Sequence, residues 1–184
     1  MEQSEYDYNL LKSTGKNVYI SHQVEIKRPQ LVNIGSDVAI DGGFYITTGA
    51  ELGDHIHIGP SVVVVGGAKG LLKMGNFTNI SAGGRIICGS DSFLGDGLVS
   101  VPGIPDEYKN EIKIEPVVFE NFVNVGANVV ILPGVKLGEG SVVGACSLVT
   151  HDTEPWTIYA GYPAKPIKAR RKDKILEYAK KLGY

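Results

Sequence analysis

The chain offers few histidines and cysteines, the side chains that most often signal a zinc site or a reactive thiol. Its 184 residues include four histidines and two cysteines, which are His22, His55, His57, His151, Cys88 and Cys146. A catalytic zinc site needs three protein ligands, and His55 and His57 have no third partner at a suitable spacing. The two cysteines also lack metal-ligand spacing, so we expect them to be buried thiols. The sequence therefore predicts no metal site.

Residues 91–115 form a stretch without a regular hydrophobic pattern, and its side chains are further candidates for a functional site. It contains the turn-rich sequence VPGIPDEY and several charged and aromatic side chains, among them Asp91, Asp96, Tyr108 and Lys109. Loops longer than about 12–15 residues are uncommon in compact domains and usually carry function. We therefore predict a functional loop over residues 91–115.

Aliphatic residues recur at every sixth position on both sides of this loop. The clearest run is Phe119, Val125, Ile131, Leu137, Val143 and Val149, and earlier runs extend over 34–64 and 74–86. An amphipathic helix needs a spacing near 3.6 residues, and a free strand alternates by two. A period of six indicates short strands joined by tight corners, where Gly, Asn and Asp tolerate left-handed backbone. Three hexads would close one coil, which predicts an all-β parallel β-helix.

A second inward position follows each hexad residue by four. This set ends with Ala68, inside a GGAKG segment that adds four residues to the period. We expect Ala68 to be buried like the earlier members of the set.

The composition agrees with this fold and excludes several functional classes. The 24 glycines and the many β-branched residues suit short strands and argue against a helical bundle. A formal net charge of −2 gives no general attraction to nucleic acid or to an anionic membrane. No apolar run approaches the roughly 18 residues of a membrane-spanning helix, and the N-terminus has no signal-peptide pattern. We expect a cytoplasmic protein that neither binds nucleic acid nor inserts into a membrane.

The two ends of the chain differ from the repeat. Residues 4–12 predict a short helix capped by Ser4. After His151, a Pro-rich extended segment precedes a helix with Ile175, Ala179 and Leu182 on its apolar face. The predicted organisation is an N-terminal helix and lead-in over 1–17, a solenoid over 18–150 with its loop at 91–115, and a C-terminal segment over 151–184.

The sequence resembles the hexapeptide-repeat acyltransferases. The resemblance rests on the run NVGANVVILPGVKLGEGSVVGACSLVT, followed by AGYPAKPIK, and it extends from about residue 18 to 170. It implies a left-handed parallel β-helix of about five to six coils, with a long loop excursion and short N- and C-terminal helices. The segment CGSDSFLGDGLVSVPGIPDEYKN is most similar to a subgroup that acylates sugars in surface-polysaccharide biosynthesis, including acyltransferases of dTDP-4-amino-4,6-dideoxyglucose.

Members of this family are trimers that bind acyl-CoA in the groove between neighbouring solenoids. The resemblance implies that the pantetheine arm would contact the chain at Gly126, Ala127, Gly144, Ala145 and Ser147. Lys165, with Arg170 or Arg171, would bind the phosphates or the adenosine end. The resemblance therefore implies a homotrimer that uses acetyl-CoA as its acyl donor. For any single Gly or Ala, corner geometry and core size explain the residue equally well.

The sequence departs from the family at the catalytic position. Typical O-acetyltransferases of the family carry a histidine on the strand leading into the long loop, and it removes the proton from the acceptor hydroxyl. Counted from the hexad at Ile86, this position falls at Asp91. Asp91 is therefore the general base, or it caps loop backbone, or the acceptor is an amine that attacks the thioester without prior deprotonation. General base catalysis contributes about 10²–10⁴-fold, which a hydroxyl acceptor needs more than an amine does, so the missing histidine favours an amino sugar.

Other residues are candidates for binding the acceptor. His57 is predicted to face outward, toward a neighbouring subunit or the acceptor sugar. Asp96, Tyr108 and Lys109 on the loop are candidates for contacts with the sugar or its diphosphate.

We therefore expect an acyltransferase that moves an acetyl or similar acyl group from acyl-CoA to the amino group of a nucleotide-linked amino-deoxysugar. One alternative is a sugar O-acetyltransferase that acts on a saccharide hydroxyl. Another is a non-catalytic solenoid that serves as an assembly module, although such a protein would have little reason to keep the long loop and the AGYPAKP tail.

Overall fold

The hexad repeat folds into a solenoid whose three faces are parallel sheets. In the computed structural model, which describes residues 6–184, each coil contributes one short strand to each face. Within this range the chain makes six complete coils and a partial seventh, slightly more than the five to six predicted. The prediction of an all-β parallel solenoid is confirmed.

The strands are short and belong to three faces and one hairpin. Sheet A contains β1 (Ser13–Thr14), β4 (Val32–Ile34), β7 (Gly49–Leu52), β10 (Leu71–Met74), β15 (Val117–Phe119) and β18 (Lys136–Leu137). Sheet B contains β2 (Tyr19–Ile20), β5 (Val38–Ile40), β8 (Ile56–Ile58), β11 (Asn79–Ile80), β16 (Asn124–Val125), β19 (Val142–Val143), β21 (Thr157–Gly161) and β22 (Ala164–Ala169). Sheet C contains β3 (Glu25–Ile26), β6 (Tyr45–Ile46), β9 (Val63–Val65), β12 (Arg85–Ile87), β17 (Val130–Ile131) and β20 (Leu148–Val149). The hairpin consists of β13 (Gly89–Asp91) and β14 (Ile112–Ile114), and the C-terminal helix is α1 (Asp173–Lys181).

Successive coils align so that equivalent hexad residues stack on one another. In sheet B, Ile40 pairs with Ile58, Ile58 with Ile80 and Ile80 with Val125, all in parallel register. These four side chains are at most 1% exposed. Full burial of an aliphatic side chain contributes about 1.5–3 kcal/mol. The inward rows of such residues therefore form the core that holds every corner in place.

The corners between the sheets line up into three edges. We call the corners from sheet A to sheet B the first edge, those from B to C the second edge, and those from C to A the third edge. On the first edge, left-handed backbone with φ between 52° and 63° recurs at Asn17, Asp37, His55, Phe77, Phe122 and Trp156. From Asp37 onward, their N–H groups donate to the preceding coil; that of Phe122, for example, donates to the carbonyl oxygen of Asn76 at 2.9 Å.

The predicted long loop is present, and it leaves the solenoid at the third edge. Strands β13 and β14 pair antiparallel, with Asp91 opposite Ile112. We call residues 92–111, which lie between these strands, the excursion. It contains a 3-10 helix, Asp106–Tyr108.

The GGAKG segment forms a second irregularity on the third edge. Gly67–Lys69 is a 3-10 helix, and Ala68 is exposed, so the prediction that Ala68 is buried is wrong. The four added residues carry the chain outward before β10 begins. A Cβ atom on Gly66 would lie 2.8 Å from the backbone carbon of Cys88, so this segment packs tightly against the start of the hairpin.

The N-terminus differs from the predicted helix over 4–12. The structure has only a 3-10 helix, Tyr8–Leu10, capped by the Asp7 carboxylate, which accepts from the Asn9 N–H at 3.0 Å. Ser4 lies outside the described residues. The helix ends early because Leu11 is buried in the core and the Lys12 N–H donates to the Val32 carbonyl at 3.1 Å. The solenoid therefore begins at β1, ahead of residue 18.

The C-terminal segment adds the β21–β22 hairpin to sheet B and ends in α1. Of the predicted apolar face, Ala179 is buried, Ile175 is half-buried and Leu182 is exposed. Among residues 6–184, no helix is long and apolar enough to cross a bilayer.

The two cysteines also differ from each other. Cys88 is buried as predicted, and burial raises the pKa of its thiol to about 11. Cys146 is exposed at a second-edge corner, so the prediction of burial is wrong there.

Candidate active site

Asp91 lies at the base of the excursion, where β13 leaves the third edge. It lines a cavity of about 420 Å³. One wall is formed by the GGAKG segment, with Gly66, Gly67 and Lys69, and the other by Ile112 and Ile114 of the returning strand. The cavity is open to solvent on the outside of the solenoid, so a ligand can reach the carboxylate without unfolding the core.

The polar groups around Asp91 are incompletely paired. Its Oδ2 accepts from the Ser100 N–H at 3.4 Å. Four buried side-chain atoms in the described part of the chain have no protein partner: Asp91 Oδ1, Ser92 Oγ, Ser100 Oγ and Asn110 Oδ1. All four belong to residues 91–110. A buried polar atom without a partner costs about 1–3 kcal/mol, and such atoms are few in native structures. Their clustering in residues 91–110 indicates that this region is arranged to bind a ligand and not to maximise stability.

A different edge carries most residues assigned to CoA. Gly126 and Ala127 lie at a second-edge corner, and Gly144 and Ala145 lie at the same corner one coil further on. A Cβ atom on Gly126 would be 2.6 Å from the Ala145 N atom. The stacking of coils therefore demands glycine here, whether or not a ligand approaches.

Lys165 and Ser147 lie near this edge but differ in accessibility. Lys165 is exposed on β22, opposite Ala160, and a Cβ atom on Gly144 would be 3.1 Å from the Cβ of Ala160. Ser147 is 2% exposed, and its hydroxyl donates to the Gly144 carbonyl at 2.7 Å and accepts from the Gly161 N–H at 3.1 Å. The buried hydroxyl therefore joins the Gly144 corner to Gly161 of β21.

Arg170 lies at the first edge, away from the other residues assigned to CoA. Its Nη1 donates to the carbonyl oxygens of Phe122 at 2.7 Å and Gly140 at 2.9 Å, and the guanidinium lies over the Trp156 ring at 5.9 Å. Burial lowers the pKa of Arg170 below its usual value. These contacts give Arg170 a structural role, joining the C-terminal segment to two coils.

The residues assigned to the acceptor are also dispersed. His57 points outward from sheet B, as predicted, and its Nε2 lies 2.9 Å from Asp41 Oδ2. Asp96, Tyr108 and Lys109 lie on the excursion, where the Lys109 Nζ pairs with Asp106 Oδ1 at 2.6 Å. None of these four lines the cavity that contains Asp91.

Sequence reasoning missed the residues that actually surround Asp91. They are Gly66, Gly67, Lys69, Ser100, Ile112 and Ile114. The sequence did contain a sign that Gly66 and Gly67 lie near Asp91, because the GGAKG insertion interrupts the period one coil before the excursion. Since equivalent positions stack, two irregularities one coil apart must lie side by side.

The chain places its two sets of candidate residues on different edges. The four extended residues of one hexad span about 13 Å at 3.3 Å per residue, so a strand of sheet C separates the second edge from the third. A single chain therefore does not bring Asp91 to the backbone of Gly126 and Gly144.

Comparison with known proteins finds hexapeptide-repeat transferases. Residues 116–151 match the family described as bacterial transferase hexapeptide (six repeats). The chain is 35% identical over 169 residues to dTDP-4-amino-4,6-dideoxy-D-glucose acyltransferase of Escherichia coli, covering 90% of this chain and 85% of that protein.

Solved structures show the same likeness along nearly the whole chain. AntD, an N-acyltransferase from Bacillus cereus, is 34% identical, and the match covers 95% of this chain with a TM-score of 0.88. One such structure is a Ser-to-Ala variant that contains dTDP-4-amino-4,6-dideoxyglucose and coenzyme A and is covered to 91%. Another contains dTDP and 3-hydroxybutyryl-CoA and is covered to 90%. The repeat, the fold and this extended similarity together show that the chain belongs to the hexapeptide-repeat acyltransferase family.

Proposed function

We propose that this protein transfers an acyl group from acyl-CoA to the amino group of dTDP-4-amino-4,6-dideoxyglucose. The supporting observation is the position of Asp91, a carboxylate at the base of the third-edge cavity in a chain that matches AntD over 95% of its length. AntD binds that sugar and coenzyme A. The proposed product is an acylated nucleotide sugar, the kind of activated donor that surface-polysaccharide synthesis consumes.

Asp91 fits an amine acceptor better than a hydroxyl. The neutral amine nitrogen attacks the thioester carbonyl carbon, and a C–N bond forms. The C–S bond then breaks, and CoA leaves as a thiolate. The proton released from nitrogen passes to Asp91 or directly to the thiolate, so no strong base is needed before attack. Asp91 is thus proposed as the proton acceptor of an N-acylation.

The spacing of two residues supports the assignment of Asp91. The AntD variants solved with CoA include one Asp-to-Asn and one Ser-to-Ala substitution, ten positions apart in that chain. Ser81 and Asp91 are the single Ser–Asp pair in this sequence with a spacing of ten in that order. Ser81 lies on the second edge, where its N–H donates to the Val125 carbonyl at 2.9 Å, directly below Gly126.

The proposed assembly is a homotrimer in which each active site is shared between two subunits. Ser81, Gly126 and Gly144 follow one another along the second edge, whereas Asp91 is on the third edge. Packing the second edge of one subunit against the third edge of the next brings both sets to one groove. Cyclic symmetry then repeats this groove three times. We propose that acyl-CoA lies in this groove along Gly126, Ala127, Gly144 and Ala145, and that acetyl is the group transferred.

Mixing two inactive variants tests both the residues and the assembly. We expect Asp91→Asn and Ser81→Ala each to lower kcat at least tenfold, without loss of folding. Co-refolded at a one-to-one ratio, they should restore activity at about one quarter of the sites, since a site needs Asp91 from one subunit and Ser81 from its neighbour. The measurement is CoA release with dTDP-4-amino-4,6-dideoxyglucose. An unchanged kcat in Asp91→Asn would remove Asp91 from the mechanism, and failure of mixing to restore activity would place both residues in one subunit's site.

A further inference from the structure

A second cavity, lined by cationic and aromatic side chains, adjoins the one that contains Asp91. It has a volume of about 530 Å³ and is lined by Lys27, Arg28, Tyr45, Thr47 and Gly67. We call it the basic cavity. Gly67 lines both cavities, so the two are neighbours along the third edge, with the basic cavity toward the N-terminal coils.

Gly67 leaves open space where the two cavities adjoin. Its φ is +67°, and a Cβ atom built on it would meet nothing within 4 Å. The backbone around it is nevertheless held, because the Gly66 and Gly67 N–H groups donate to Thr47 Oγ1 at 3.2 and 3.3 Å. A side chain at position 67 would therefore occupy open space beside both cavities.

Arg28 is positioned to bind an anion. Its Nη1 donates to the Thr47 carbonyl at 2.6 Å, which fixes the half-buried guanidinium at the cavity wall. A guanidinium has five N–H donors in a planar fork, so this one bond leaves most of them for a ligand such as phosphate.

Lys27 and Tyr45 complete the wall. Lys27 pairs with Glu25, but both side chains are about half exposed, so solvent screens the pair and the ammonium remains available. The Lys27 Nζ lies 5.8 Å from the centroid of the Tyr45 ring. A nucleobase can stack on an aromatic ring, and Tyr45 is the aromatic residue of this cavity.

We propose that the basic cavity binds the nucleoside diphosphate part of the acceptor. The diphosphate lies against Lys27 and Arg28, the base lies on Tyr45, and the sugar crosses Gly67 so that its amino group reaches Asp91. This assignment rests on the proposed function, because it takes the acceptor to be a nucleotide-linked sugar. CoA also carries a pyrophosphate, so the shared chemistry is a diphosphate and the test must separate its two sources.

Calorimetric titration with dTDP and with CoA, each alone, makes that separation. We expect Lys27→Met, Arg28→Met and Gly67→Asn each to weaken dTDP binding at least tenfold and to leave CoA binding unchanged. Asn is chosen at position 67 because it tolerates the left-handed conformation, so the added side chain is the main change. Lys73→Met is the matched control, since Lys73 is also a half-exposed lysine paired with a glutamate, Glu51, but it lies in sheet A. It should leave both affinities unchanged.

Each outcome has a distinct meaning. Undisturbed dTDP binding in Lys27→Met and Gly67→Asn would overturn the assignment of the cavity, and so would loss of CoA binding in place of dTDP binding. Lys27→Met also guards against a folding defect in Arg28→Met, because Lys27 makes no bond to the Thr47 carbonyl. If the unsubstituted protein binds no dTDP, the proposed acceptor itself is wrong. Loss of turnover in Asp91→Asn with normal dTDP binding would leave the cavity assignment intact.

Discussion

The first and third edges of the solenoid are made from the same repeat but differ in what their corner residues contact. Along the first edge, His55 stacks on Phe77 at 4.7 Å and Phe77 on Phe122 at 5.3 Å, between ring centroids. Along the third edge, the corners open into the basic cavity, the Asp91 cavity and a further cavity lined by Lys113, Gly134 and His151. The first edge carries a stack of rings with one cavity of about 320 Å³ between that stack and α1, whereas the corners of the third edge border three cavities.

Hydrogen bonding follows the same division. On the first edge, the side chains of Asp54, Asn76 and Asn121 each accept a backbone N–H from the preceding coil, at 2.7–2.8 Å. On the third edge, the unpaired buried atoms of residues 91–110 collect around Asp91. In the described part of the chain, the buried side-chain atoms without a protein partner thus belong to residues 91–110 and not to these first-edge corners, as expected where a ligand supplies the missing contacts.

The largest expected effect on stability is at Phe122. It is 8% exposed with φ of 63°, whereas Phe93 on the excursion is 66% exposed with φ of 54°. We expect Phe122→Ala to lower the free energy of unfolding by about 2–4 kcal/mol and Phe93→Ala by less than about 0.5 kcal/mol. Because the left-handed conformation costs a non-glycine residue about 1–2 kcal/mol, Phe122→Gly should be less damaging than Phe122→Ala. Urea unfolding measures all three.

The two phenylalanines are matched in residue type and backbone conformation, so the comparison isolates the surroundings. Equal losses in Phe122→Ala and Phe93→Ala would show that the stacked edge is not a stabilising element. A larger loss in Phe122→Gly than in Phe122→Ala would show that the corner is not strained.

The next effect separates the two cations assigned to CoA. Arg170→Met leaves the carbonyl oxygens of Phe122 and Gly140 without their charged donor, which should lower the free energy of unfolding by about 1–3 kcal/mol with CoA affinity unchanged.

Lys165→Ala should affect CoA binding and not stability, because Lys165 is exposed. It should leave stability unchanged and weaken CoA more than 3′-dephospho-CoA. Equal losses for the two ligands would refute a contact with the 3′-phosphate, and weakened CoA binding in Arg170→Met would restore Arg170 to the CoA site.

The fold was predictable because the period is carried by the core. Ile40, Ile58, Ile80 and Val125 stack in register, and a slip of one residue would turn such residues outward. The spacing of the aliphatic residues in the sequence therefore predicts the coil directly. Corner side chains carry no such constraint. Nothing in the pattern distinguishes Phe122, which stacks in a column, from Phe93, which lies in solvent.

The site was predictable only in part, for a related reason. Asp91 was assigned to the site from its position in the repeat and remains a prediction, whereas its neighbours Ser100 and Gly67 come from segments where the period fails. Arg170 was assigned to CoA by its place in the tail, and only the folded chain reveals its bonds to the first edge. Burial of a long cationic side chain depends on tertiary contacts that a linear motif does not encode.

The smallest expected effect concerns the chain's last residue and the first edge. The Tyr184 hydroxyl donates to Asp54 Oδ2 at 3.0 Å, and its ring meets Phe77 edge-on at 4.8 Å. The pKa of Asp54 is lowered, first by the bond from the Ser36 N–H and then by that from Tyr184. A lowered carboxyl pKa contributes stability above the unfolded pKa, near 3.8, and loses it as the pH falls through the folded value.

Tyr184→Phe removes the hydroxyl and keeps the ring. Wild type should therefore melt slightly above Tyr184→Phe at pH 6, and the gap should shrink by pH 3, as Asp54 becomes protonated in both proteins. Tyr178→Phe, at an exposed tyrosine of α1, is the matched control and should melt like wild type at both pH values. A gap that stays constant from pH 6 to pH 3 would mean that the hydroxyl does not act through the charge of Asp54. The first edge would then hold the C-terminus by ring packing alone.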